Sequence, residues 1–221
     1  MPSSQNIEAV RDVALSRISC LEKLDTVKIK FDRQGCYYNK TQIVNDEDEL
    51  LLNVCHANGP STANNYLATS TDSFTLHLRD KFSNKNLVRF VKTPFHNEFY
   101  VMIQGNINLG VVKKKKCLFG LKLNVYDGYF QKIYQIRGST FRRMGSKFQY
   151  KILNYYGYKI GSIIRKPDGL LSTKNTCQID FPISVNVQGK ILLIAAALFL
   201  DYVEFKNISI DATPPMMFYT F

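Results

Sequence analysis

The chain has 221 residues, 45% of them hydrophobic and 21% charged, with 12 Gly and 7 Pro. That length allows one large domain or two small ones, and the composition excludes a largely disordered or collagen-like chain. The formal charge of +11 is uneven: residues 1–110 carry 12 basic and 12 acidic side chains, residues 111–221 carry 17 and 6. A one-sided positive field points to an anionic partner, whether phospholipid headgroups, nucleic acid or an acidic protein, against the plainer reading of a solvated basic face. The five cysteines are scattered and form no C-x-x-C pair, which argues for reduced thiols rather than a zinc or redox motif.

In chain order, residues 6–24 read as one amphipathic helix, with Val10, Val13, Ala14, Leu21 and Leu24 at helical spacing and Ile18 fitting loosely. The Met1–Val10 stretch lacks the apolar run of a secretory signal, so secretion is not expected. From residue 27 the hydrophobic period changes to two. Five hairpins follow, turning at Asp32–Gly35, Arg79–Asn84, Gly105–Asn106, Asp127–Gly128 and Asn154–Gly157. Asp, Asn and Gly supply the backbone conformations such turns need, and five alternating hairpins predict an antiparallel sheet or barrel. The segment Asn45–Ser73, with the acidic run Asp46–Glu49 and many small polar residues, reads as a surface loop.

Ile191 to Leu200 holds ten residues without a polar side chain. Ile191, Leu192, Leu193, Ile194, Leu198, Phe199 and Leu200 surround it with apolar surface, and its three alanines favour helix. A helix apolar on every side is buried in protein or lipid. A bilayer crossing needs about 20 residues, and Asp201 and Glu204 interrupt this one, so a core helix is favoured over a membrane span. A barrel closed around that helix satisfies both signals, since closure removes edge strands and the helix fills the interior.

Enzyme signatures are missing. There is no Gly-x-Ser-x-Gly elbow, and the glycine pair Gly105 and Gly110 is followed by Val111 and Val112 rather than by the Lys-Ser/Thr of a phosphate loop. His56 lies beside Cys55, yet neighbours on a strand point to opposite faces, which disfavours a Cys–His pair. No metal cluster, nucleophile or cofactor site is evident. The basic residues stand out instead: 15 against two acidic between residues 113 and 174. Lys113, Lys114, Lys115 and Lys116, with Arg142, Arg143 and Lys147, form a candidate surface for anionic lipid, and Arg165 and Lys166 close the last hairpin. Four successive lysines cannot share one face of a strand, so a strand end is expected. Each cation near an anionic membrane surface is worth about 1 kcal/mol. Nucleic acid would be served by the same charge.

The segment Ile179–Val187, the Lys190 that follows it, the apolar run and Leu200–Tyr202 together resemble the phospholipid scramblase family, with its Ile-Gln-Phe-Pro strand and buried C-terminal helix. Gly157–Lys166, Phe74–Val91 and Gly59–Pro60 resemble further family segments in the same order, over about residues 21–206. The resemblance implies a tubby-like fold: mainly β, a closed antiparallel barrel of about twelve strands around a hydrophobic C-terminal helix. The chain is thus expected to divide into an N-terminal amphipathic helix over 1–26, a scramblase-like domain over 27–206 and a tail over 207–221. The resemblance also implies ATP-independent, bidirectional movement of phospholipid at the cytoplasmic face of the plasma membrane or another membrane. The alternative is a non-catalytic module that binds acidic phospholipid, a protein partner or nucleic acid through the basic face. The family uses Ca2+, but its acidic positions fall here on Thr173, Asn175, Ser184 and Asn186, and hard-cation sites need several carboxylates. No cofactor is therefore expected. The family's palmitoylated cysteines would fall near Pro94–Tyr100, where this chain has none.

Overall fold

The computed structural model describes residues 4–34, 37–57, 73–94, 96–117, 120–138, 148–167 and 174–211. Helix α1 (Ser4–Ser16) precedes twelve strands: β1 (Thr26–Gln34), β2 (Tyr37–Val44), β3 (Leu50–His56), β4 (Phe74–Asp80), β5 (Asn86–Lys92), β6 (Glu98–Ile103), β7 (Ile107–Lys115), β8 (Lys122–Asp127), β9 (Lys132–Gly138), β10 (Phe148–Leu153), β11 (Lys159–Pro167) and β12 (Lys174–Asp180). Helix α2 (Val187–Asp211) follows. Each strand pairs antiparallel with its chain neighbours and β12 pairs with β1, so the sheet closes into a barrel with no edge.

The five expected strand pairs are present; Asp32 belongs to β1 and Gly35 of the first turn lies outside the described residues, while the other turns use the residues the sequence offers. The Asp80 carboxylate accepts from the backbone N–H of Phe82 and Ser83, that of Asp127 from Tyr129 and Gln131, and the side-chain Oδ1 of Asn154 from Tyr158. In the β8–β9 turn, however, the left-handed position is Phe130 (φ 63°), not Gly128. Gly128 serves close approach instead, since a Cβ there would lie 2.6 Å from the Asn108 carbonyl oxygen.

One segment departs from expectation. Asn45–Ser73 is not wholly loop: only 45–49 form a turn before β3 begins, while 58–72 lie outside the described residues. Three consecutive leucines at Leu50–Leu52 mask the alternation, yet only Leu52 and Val54 turn fully inward. The acidic turn is held by its own side chains and by β1. Asn45 Oδ1 accepts from the N–H of Glu47 and Glu49, and Asp48 lies 3.1 Å from Lys30 and 3.4 Å from Lys28.

Twelve strands enclose more space than side chains alone fill, and α2 occupies it. Every residue from Ile191 to Leu200 is buried, including the candidate positions Ile191, Leu192, Leu193, Ile194, Leu198, Phe199 and Leu200. Each buried Leu, Ile or Phe contributes about 1.5–3 kcal/mol. Phe199 stacks on Phe99 at 5.5 Å, and Leu192 approaches β7 where Gly110 lacks a Cβ, which would sit 2.8 Å from it. Among the described residues, no helix is long and apolar enough to cross a membrane.

The N-terminal segment closes the end at which α2 enters. It is not one helix over 6–24: α1 stops at Ser16, and a 3-10 turn covers Ser19–Leu21. In 3-10 geometry residues three apart eclipse, which sends Ile18 and Leu21 into the barrel mouth together, both fully buried. Val10 and Val13, expected on the apolar face, are exposed. Lys190 near the start of α2 donates to the carbonyls of Leu21, Glu22 and Leu24 at 2.7–2.9 Å, and Arg11 hydrogen-bonds Gln188. Because the strands alternate in direction, the turns 45–49, 81–85, 104–106, 128–131 and 154–158 lie at this entry end, and Lys115, Gly138 and Phe148 lie at the far end.

Candidate functional site

The lysine run ends β7, as its pattern requires. Lys113 points outward and is not an open charge: its ammonium lies 2.9 Å from the Glu98 carboxylate and 5.8 Å from the centre of the Tyr126 ring. Tyr100 donates to the same carboxylate at 2.7 Å. Partial burial works to raise the Glu98 pKa, but the hydrogen bonds from Lys113 and Tyr100 outweigh it and hold the carboxyl below its usual range. The bond to Glu98 in turn raises the Lys113 pKa. The Lys114 backbone N–H donates to the Asn97 carbonyl at 2.8 Å. Lys115 and Lys116 are exposed, and among the described residues no carboxylate faces either. Arg142, Arg143 and Lys147 lie outside the described residues.

Arg165 is not part of the basic surface. It turns into the barrel and meets Asp201 of α2 at 2.9 Å, with both side chains buried. Asp201, whose charge argues against a membrane span, is thereby accounted for within the core.

Sequence reasoning missed a basic row that only strand register reveals. Lys115 of β7 stands opposite Lys122 of β8, Lys122 opposite Arg137 of β9, and Arg137 opposite Lys151 of β10. Directly paired residues share a face of a sheet. The next residue along β8, and those before Arg137 and after Lys151 (Leu123, Ile136 and Ile152), are buried, so the row lies on the outer wall. Strands are about 4.8 Å apart, so the four cations span about 14 Å. Arg137 Nε donates to Gln135 at 2.7 Å. Among the described residues, no carboxylate pairs with any of the four.

Among the described residues, no nucleophile–base pair emerges. His56 points inward against Phe74, at 6.1 Å between ring centres, while Cys55 stands opposite His77 on the outside. Of the positions where family acids would fall, Asn186 has other work. Asn186 Oδ1 accepts from the Gly189 N–H at 2.8 Å and caps the start of α2. Asn175 is half-buried in β12, Ser184 is exposed, and Thr173 lies outside the described residues. The nearby Asp180 carboxylate accepts hydrogen bonds from Ser162 and from Gln178. Of these residues only Asp180 carries a charge, whereas a calcium site draws on several carboxylates.

A model of the Scramblase family matches residues 26–207, from the first strand through the central helix. The chain belongs to the scramblase family. The match covers the whole barrel, β1 to β12, together with the buried part of α2, so the basic row and the lysine run both lie on the family domain. An X-ray structure of a protein from Arabidopsis thaliana is similar at 13% identity, covering 80% of this chain and 90% of that one, with a TM-score of 0.45. No curated protein matches the sequence.

Proposed function

We propose that this scramblase-family protein acts on phospholipid at anionic membranes, assisting ATP-independent movement of lipid between leaflets from the cytoplasmic face of the plasma membrane or another membrane. The observation that carries the reading is the family match over the whole barrel. The charge supports it: the excess of +11 lies entirely in residues 111–221, and each exposed cation adds about 1 kcal/mol at an anionic surface. Contact runs through Lys115 and Lys116, with Arg142, Arg143 and Lys147 as further candidates. The activity is calcium-independent, since the four positions of the family's acids (Thr173, Asn175, Ser184 and Asn186) are uncharged here and Asp180 alone supplies too few carboxylate oxygens.

A second reading has a specific observation behind it. Helix α2 fills the barrel, so a headgroup has no path through the lumen. A non-catalytic module that binds acidic phospholipid or a protein partner needs no such path. Liposomes carrying a fluorescent lipid separate the two. Under scrambling, dithionite bleaches the inner-leaflet signal as well, with or without a calcium chelator. Under binding alone, the protein co-sediments with the vesicles but only the outer-leaflet signal is lost.

A further inference from the structure

The four cations of the outer-wall row are an electrostatic anomaly. Like charges directly opposite each other across strands are destabilising, and here three such pairs follow one another with no acid between them. The same sector carries a second anomaly at the entry end. The β8–β9 turn presents Tyr129 and Phe130, and the β10–β11 turn presents Tyr155 and Tyr156, all exposed, Tyr156 by 80%. Phe130 holds a left-handed backbone conformation that a bulky residue rarely takes. Tyr155 and Tyr156 meet edge to face at 5.6 Å, and Lys132 lies 5.5 Å from the Tyr155 ring, which ties the two turns together. The exposed aromatics of these two turns lie on the same strands as a row of cations that no carboxylate among the described residues pairs, in one sector over β7–β11.

We infer that this face docks side-on against an anionic bilayer, with Lys115, Lys122, Arg137 and Lys151 at the lipid phosphates and the aromatic turns inserted at the interface. The inference rests on the reading that the protein acts at anionic membranes, and it names the surface. Charge complementarity selects the anionic partner. The turns select a bilayer over a polynucleotide, because Tyr and Phe side chains match the half-apolar depth of the lipid headgroups. This surface differs from the lysine run at the far end: three of its four cations lie outside that run.

The test compares Lys122→Gln/Arg137→Gln/Lys151→Gln with a control of equal charge loss, Lys23→Gln/Lys81→Gln/Lys85→Gln, whose residues are exposed elsewhere. Binding is read on phosphatidylserine vesicles at low salt. Each cation at the surface is worth about fivefold, so the row variant should bind roughly a hundredfold more weakly, and the control far closer to wild type. Removing the like-charge pairs should leave the melting temperature at or above wild type, so loss of binding is not loss of fold.

The chain has no Trp, so a single introduced one reports its own surroundings. Tyr156→Trp should shift its emission to the blue on the vesicles and be quenched by brominated lipid. Phe82→Trp, at an exposed turn half-way round the ring of twelve strands, should do neither. Wild-type vesicle binding that the row variant retains in full would overturn this surface and leave the membrane reading intact. No wild-type binding would overturn both. A blue shift at both tryptophans would replace side-on docking by end-on insertion. Loss of binding to a single-stranded oligonucleotide, with vesicle binding unchanged, would reassign the row to nucleic acid and overturn the inference.

Discussion

Arg165 on β11 and Asp201 on α2 form an ion pair at 2.9 Å inside the barrel, with the two side chains 8% and 2% exposed. A buried pair gives little net stability, but removing one partner strands the other charge, at about 3–5 kcal/mol. Asp201→Leu should therefore lower stability by about 3–5 kcal/mol, and Arg165→Met/Asp201→Leu should recover most of the loss. Chemical denaturation of the two variants checks this. A double variant no more stable than the single one would show that the pair does more than neutralise charge.

That pair marks a limit of reading from sequence. Arg165 sits among surface-looking basic residues, and only the alternation of β11, which places Ile163 inward, sends it to the core. The hairpins and the central helix were legible because period-two patterns, Asp/Asn/Gly turns and the Ile191–Leu200 run carry their own physics. Strand β3 was hidden by the Leu50–Leu52 run, which has no alternation to read. The break in the N-terminal helix came from the barrel mouth, which draws in Ile18 and Leu21 at once, and local propensity does not encode that. The row of Lys115, Lys122, Arg137 and Lys151 was invisible because its members are adjacent only through register.

Stability should fall on mild acidification. Burial pushes the His56 pKa below its ordinary 6.5, and burial followed by the charges of Arg79 and Arg89 does the same at His77. The unfolded chain then binds more protons than the native one as pH drops through about 6.5, so stability is lost there. Glu98, whose folded pKa is also depressed, adds its own loss only near and below 4.5. Melting temperature followed from about pH 7 to about pH 5 should decline in the wild type and decline less in His56→Phe. Parallel curves would assign the acid sensitivity elsewhere.

Phe130→Gly should raise stability by about 1 kcal/mol, because glycine accepts the φ of 63° without strain. The same substitution removes an exposed aromatic from the docking face, so vesicle binding should weaken as the melting temperature rises. Opposite movement of the two readouts is the expected signature of a residue kept for contact rather than for folding.

The lysine run should divide in two. Lys113→Gln leaves Glu98 without its ammonium partner and should cost stability with little effect on vesicle binding. Lys115→Gln/Lys116→Gln should do the reverse, weakening binding by at most about 2 kcal/mol. Equal effects of the two variants on binding would mean that the Lys113–Glu98 pair opens at the membrane.

The most direct test of the central claim, that this scramblase-family barrel works at anionic membranes, is vesicle flotation across a salt series. Phosphatidylserine vesicles should carry the protein at low salt, phosphatidylcholine vesicles should not, and the bound fraction should drop steeply as the Debye length shrinks from about 10 Å at about 0.1 M to about 3 Å at about 1 M. No flotation at any salt, or equal flotation on both lipids without salt dependence, would contradict it.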